Sequence, residues 1–198
     1  MNTQQPFGEI IASSLTSWTI QSWLLDDYPP FGAIIEIIYQ ENKHFGVICD
    51  IKTGPKDASR TPFAFGKTIQ ELKQEQPHIF QLLQTTIMAI PLSYSDNKNL
   101  IYQIPKHPAP IHAFAQLCTL QELRIFFSNA HWIITFFNLA QQNALFDELL
   151  IAVLHNAHSC QALDKETLQE IIDIFCLLTQ DDYRKLKIFL QRIEAFIY

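Results

Sequence analysis

The tripeptide Gly66-Lys67-Thr68 matches the last three positions of a phosphate-binding loop, in which backbone N–H groups wrap a phosphate and the Lys neutralises it. Upstream the match fails. The position five residues before Gly66 needs a second Gly to free the backbone, but it holds Thr61, followed by rigid Pro62 and bulky Phe63. Lys67 and Thr68 then read as a loop charge and a helix N-cap. His155 and His158 stand three apart on an expected helix, with Cys160 two residues on and Glu148 two turns earlier. That spacing suits metal ligands, yet a structural site wants four defined ligands and the second pair is missing, so a polar helix end is the simpler reading. His107 and His112 flank a proline-rich stretch, and no Ser or Cys near them has a recognisable nucleophile setting. Asp147-Glu148 and Asp181-Asp182 fall near expected helix starts, where acids favour the positive end of the helix dipole. No catalytic residue, cofactor site or metal site is expected, and the protein is not expected to be an enzyme.

The elements beneath these residues are marked by a repeated local pattern. Phe7-Gly8-Glu9-Ile10-Ile11, Phe31-Gly32-Ala33-Ile34-Ile35 and Phe45-Gly46-Val47-Ile48-Cys49 each run a Phe-Gly pair into mostly β-branched residues, and they use three of only five glycines in the 198-residue chain. Gly at a strand start or bend lets the backbone turn or be approached closely, while Val and Ile stiffen the strand after it. The pattern predicts a small, strongly bent antiparallel sheet, closed as a barrel. Strands are expected over 7–14, 17–25, 31–39 and 44–51, with a long loop over 52–67. Trp18, Ile20 and Trp23 do not alternate cleanly, which suggests a strand with a partly covered outer face. A helical segment over about 68–84 comes next, opened by the Thr68/Glu71 capping box and restarted at Pro77. Strands resume at 86–94 and 99–104 around the turn Ser95-Asp96-Asn97. Pro105, Pro108 and Pro110 then break regular structure and set an expected domain boundary at 110. After an extended piece at 111–117, helical periodicity dominates from the Thr119/Glu122 capping box to the end. Leu168, Ile171, Ile172, Phe175 and Leu178 form one stripe, and Tyr183, Leu186, Leu190, Ile193 and Ile197 another. Ile188, Phe189 and Phe196 fall off the second stripe and suggest a helix covered on more than one side by a partner.

Composition narrows the class further. Apolar residues make up 48% of the chain, enough for a substantial core, while no apolar run approaches the roughly 20 residues of a membrane helix. The first residues lack the basic and apolar regions of a secretion signal. Cys49, Cys118, Cys160 and Cys176 are far apart and read as buried free thiols in a reducing, cytoplasmic setting. Net charge is −6, and neither half carries the basic excess of an independent nucleic-acid binder. Locally, residues 43–67 hold Lys43, Lys52, Lys56, Arg60 and Lys67 against only Asp50 and Asp57.

The succession of the three Phe-Gly motifs, two strands before Pro29-Pro30 and two after, resembles the HAS-barrel domain of HerA-type DNA translocases and of ATP synthase N-terminal barrels. The similarity covers about the first half of the chain. The loop 53–62 and the segment 110–114 look like parts of stand-alone bacterial, cyanobacterial-like proteins that pair such a barrel with a helical tail. In HerA-type proteins the barrel implies ring assembly and docking of a nuclease, while hydrolysis belongs to a separate ATPase domain. No Walker pair is found in these residues, so the resemblance carries over an adaptor surface and no motor activity.

The expected protein is α+β: an N-terminal small antiparallel barrel over 1–110 with an inserted helical segment, then an α-helical region over 111–198. The expected function is a non-catalytic interaction module, an adaptor or assembly subunit of a larger cytoplasmic complex, with protein partners, homo-oligomerisation in the simplest case, and no membrane insertion. Candidate surface residues are Trp18, Trp23, Lys56, Arg60, Phe189 and Phe196; Trp132 is a further aromatic anchor, and each Trp taken singly reads more readily as core. One alternative is an accessory factor of a DNA-processing system that touches nucleic acid through the basic loop 43–67, nucleic acid being unlikely as sole ligand. The other is a metalloprotein or enzyme using the C-terminal histidines.

Overall fold

The computed structural model describes residues 5–39, 42–96, 99–140, 145–179 and 183–197. Strands β1 (Gly8–Ser13), β2 (Trp18–Ser22), β3 (Ile34–Tyr39), β4 (Asn42–Pro55), β5 (Leu83–Asp96), β6 (Asn99–Ile101) and β7 (Phe114–Leu117) form one antiparallel sheet. Its order is β2-β1-β7-β3-β4-β5-β6, and an additional β2–β5 pairing closes six of the strands into a barrel, with β6 paired only to the far end of β5. Closure removes the open edges that would otherwise recruit other chains. Register shifts between Ile10 and Ala12 in β1, and at Phe45/Gly46 and Ile48/Asp50 along the β4–β5 ladder, supply the bends a small barrel needs.

The inside of the barrel is filled by Ile10, Trp18, Ile20, Ile35, Ile37, Ile48 and Ile87, all fully buried. Each such side chain contributes roughly 1.5–3 kcal/mol on burial. The indole of Trp18 lies across the backbone of Gly46, where a Cβ would sit 2.5 Å from the ring. Within β2, Trp18, Ile20 and Ser22 are buried and Thr19 and Gln21 half-buried, so this strand alternates cleanly; Trp23 lies past its end, which is why a longer strand over 17–25 lost the pattern.

Helices α1 (Ile69–Glu75) and α2 (His78–Gln81) fill the expected insertion, and the Thr68/Glu71 capping box is formed. β4 continues to Pro55, so the first residues assigned to a loop are strand, paired with Leu83–Thr86 of β5. Ser95 and Asp96 also belong to β5, β6 ends at Ile101, and Asn97 lies outside the described residues. The boundary expected at 110 does not hold for the sheet. β7 enters between β1 and β3 and completes the barrel, which therefore runs to Leu117. Beyond it come α3 (Leu120–Phe126), α4 (Trp132–Ala140), α5 (Phe146–Ser159), α6 (Lys165–Thr179) and α7 (Tyr183–Ile197).

These helices build a second core on the outer face of β3, β4 and β5. Ile34, Val47, Cys49, Ile90 and Leu92 point outward into it and meet Phe126, Trp132, Phe136, Phe146 and Leu150. Strands covered on both faces explain the nearly continuous apolar runs at 34–37, 45–49 and 89–92, while Ile38 and Met88 beside them stay exposed. Trp132 packs edge-on against Phe127 and Phe136 at centroid distances of 5.6 and 5.8 Å. α5 rests directly on the approach to β3: Gly32 has φ +77°, a Cβ there would fall 2.6 Å from Cβ of Ala152, and Asn156 Nδ2 donates to the Phe31 carbonyl at 3.1 Å.

One polar cluster lies in this seam. Glu36 of β3, 1% exposed, accepts from Gln116 Nε2 of β7 at 2.6 Å and from Lys43 Nζ of β4 at 3.0 Å. Lys43 also pairs with Glu122, whose other oxygen accepts from Thr119 N at 2.7 Å and from its hydroxyl at 2.8 Å, closing the α3 capping box. Burial pushes the Glu36 carboxyl up against the pull of its two donors. Burial also works to raise Glu122, but the hydrogen bonds from Lys43 and Thr119 hold it below the usual carboxylate range. Lys43 is raised: desolvation alone would lower it, and its two carboxylate partners win. Lys43 is accordingly a structural cation and no part of a basic loop.

Candidate interaction surface

The six residues singled out from the sequence do not share one surface. Trp18 is inside the barrel, and Phe189, 3% exposed, stacks on Phe175 at 4.2 Å between α6 and α7, so neither is available to a partner. Trp132 is likewise core. Phe196 lies in α7, but its side chain is outside the described residues. Trp23, Lys56 and Arg60 are exposed and fall into two different features.

Trp23 is held by the barrel while its ring stays in water. Its backbone N–H donates to the Phe7 carbonyl at 3.0 Å, extending the β1–β2 pairing, yet the residue is 51% exposed. Phe114, at the start of β7 on the other side of β1, meets it edge-to-face at 5.3 Å and 84° and is itself 54% exposed. Next to this pair lies an open hollow of about 540 Å³, lined by Phe7, Leu24, Tyr28 and Leu117 together with the polar Gln5 and Asp27. Leu24 and Leu117 are exposed as well. An aromatic whose backbone is fixed and whose ring already packs on a neighbour loses less entropy when a partner covers it than a free surface side chain does. Sequence reasoning missed Leu24, Tyr28, Phe114 and Leu117. Strand parity held the signal for Phe114, because Ala115 faces the barrel core and its neighbour must face outward.

Lys56 and Arg60 line a separate cleft of about 400 Å³ with Lys52, Gly54 and Thr86, at the end of the β4–β5 ribbon. Arg60 pairs with exposed Asp57 at 3.2 Å, and Lys67 pairs with Glu75 of α1.

The other candidate chemistry is dispersed. His155 and His158 stand one turn apart on α5, and among the described residues no group of three His, Cys, Asp or Glu side chains converges as metal ligands do. Cys49 and Cys118 are buried, which pushes their thiols up, to about 11 for Cys49, and disfavours the nucleophilic thiolate. Cys160 and Cys176 are only half-buried, a departure from the expected buried thiols. Among the described residues no helix is long and apolar enough to cross a membrane.

Fold and site together define an α+β protein whose closed six-stranded antiparallel barrel carries an exposed aromatic patch and a helical core packed on β3, β4 and β5. No protein-family model matches the chain, and no curated sequence matches it.

Proposed function

We propose that this chain is a non-catalytic interaction module built on a HAS-type barrel, an assembly subunit that docks through the surface around Trp23, with a second copy of the chain as the partner. The observation that carries the reading is the Trp23–Phe114 pair, held by backbone hydrogen bonding and left open to water beside a hollow of mixed lining that includes Phe7, Leu24 and Tyr28. Exposed apolar patches of this kind mark interaction sites more often than they occur by chance. Ring assembly by the barrels that the Phe-Gly succession resembles supports a partner of the same kind, and the four unbridged cysteines fit a reducing cytoplasm.

Light scattering over a concentration series tests this. The wild-type chain is expected to exceed the mass of one copy, and Trp23→Asp, which sets a charge in the centre of the patch, to return it to a single copy with unchanged circular dichroism. Wild-type protein that stays at the mass of one copy at high concentration removes the homo-oligomer reading.

A further inference from the structure

The loop between β4 and α1 carries two features that point the same way. Its cleft is lined by three cations, Lys52, Lys56 and Arg60, and among the described residues only the exposed Asp57 pairs with one of them, in a surface pair of little net strength. Thr61 and Pro62 form part of the cleft wall, which places Phe63 at its rim. Phe63 is 73% exposed, and its ring lies 4.7 Å from that of Phe65, tilted by 37°. Phe65 is half-buried, but Phe63 itself gains little for folding, since most of its surface stays in water.

We propose that this cleft and rim bind single-stranded nucleic acid, with phosphates along Lys52, Lys56 and Arg60 and an unstacked base on Phe63. A basic groove beside exposed aromatic faces is the combination that holds single strands, because every base has a face to stack and every nucleotide a charge to neutralise. A duplex offers the phosphates but keeps its bases stacked on each other, so it uses only half of the site. Three cations make the contact local and weak, in keeping with a chain of net charge −6. The site is separate from the Trp23 patch, so the two readings stand or fall independently.

Fluorescence anisotropy of labelled oligo-dT and oligo-rU of about 15 nucleotides, the upper end of single-site lengths, tests the proposal on the full chain. Three phosphate contacts predict a loss of about 20-fold in affinity between 50 and 200 mM salt. Lys56→Glu with Arg60→Glu is expected to abolish binding. Phe63→Ala is expected to weaken it at least about fivefold while leaving the salt dependence unchanged, the mark of lost stacking. Circular dichroism confirms that these loop variants fold. Preference for oligo-dT or oligo-rU identifies the natural strand, and either supports the site. No binding at 50 mM salt overturns the proposal. So does equal binding of duplex and of heparin with Phe63→Ala neutral, since that is charge adhesion without a base site.

Discussion

Gly32→Ala is expected to destabilise the protein by about 2–5 kcal/mol. Two costs add. The residue sits at φ +77°, where any other L-residue loses roughly 1–2 kcal/mol. Its new Cβ would lie 2.6 Å from Cβ of Ala152 and 2.9 Å from backbone atoms of Ala152 and Val153, so α5 must withdraw, and overpacking of this kind costs about 1–3 kcal/mol. Withdrawal also stretches the Asn156 bond to the Phe31 carbonyl. Urea unfolding measures the sum. Adding Ala152→Gly to Gly32→Ala is expected to restore part of the steric cost and none of the backbone cost. A Gly32→Ala midpoint equal to that of wild type would show that α5 does not rest on this backbone.

Lys43→Met is expected to cost about 2–3 kcal/mol at neutral pH, below the roughly 3–5 kcal/mol of a fully buried broken pair because Lys43 is itself a third exposed. The substitution keeps the length of the stem and removes the charge that lies between Glu36 and Glu122. Its pH signature is more telling than its size. In the wild type the shifts oppose one another. Glu36 is raised, so the fold holds its proton more tightly than the unfolded chain and the Glu36 contribution worsens as pH rises through that window. Glu122 is lowered, so its stabilisation is present above the ordinary glutamate range and lost as pH falls through its folded pKa. Lys43 is raised, so its stabilisation is complete below the ordinary lysine range and lost only as pH climbs through its own folded pKa. Without the cation both carboxyls are pushed upward by each other and by burial, and both then favour low pH. The deficit of Lys43→Met relative to wild type should therefore shrink between pH 7 and pH 5 in paired urea titrations. A deficit of the same size at both pH values would mean that the cluster is not electrostatically coupled.

Much of the barrel was legible because its constraints are local. Gly8, Gly32 and Gly46 all turn out to be positions where a Cβ would collide with a neighbour, at the Gln21 carbonyl, Ala152 and Trp18 respectively. The motif announced close approach without saying by what, since those neighbours are distant in sequence or, for Gly8, across a hairpin. The extended piece expected at 111–117 contains β7, but its place inside the barrel stayed hidden for a related reason. Four residues are too few to show a period, and the strand is fixed by pairing to β1 and β3 rather than by its own preferences. The choice among tryptophans was open to parity: counted from buried Ile20, Trp18 falls on the same face and Trp23 on the opposite one. Phe189 belongs with Leu186, Leu190 and Ile193 at helical spacing, so a wider stripe would have placed it in the core. The Trp23 patch itself was half visible, because its second ring comes from the strand whose place in the sheet was not.

That late strand also sets the order in which the molecule can be finished. Five of the barrel's six staves lie before residue 97, but the gap between β1 and β3 is filled only by Phe114–Leu117. In any species that has formed β1 to β5 but not yet docked the segment just past the proline cluster, the facing edges of β1 and β3 stand unpaired. Such a species carries a vacancy one short strand wide, which the Phe114–Leu117 segment of a neighbouring copy could fill in place of its own, so the last strand to dock is also the one most open to exchange.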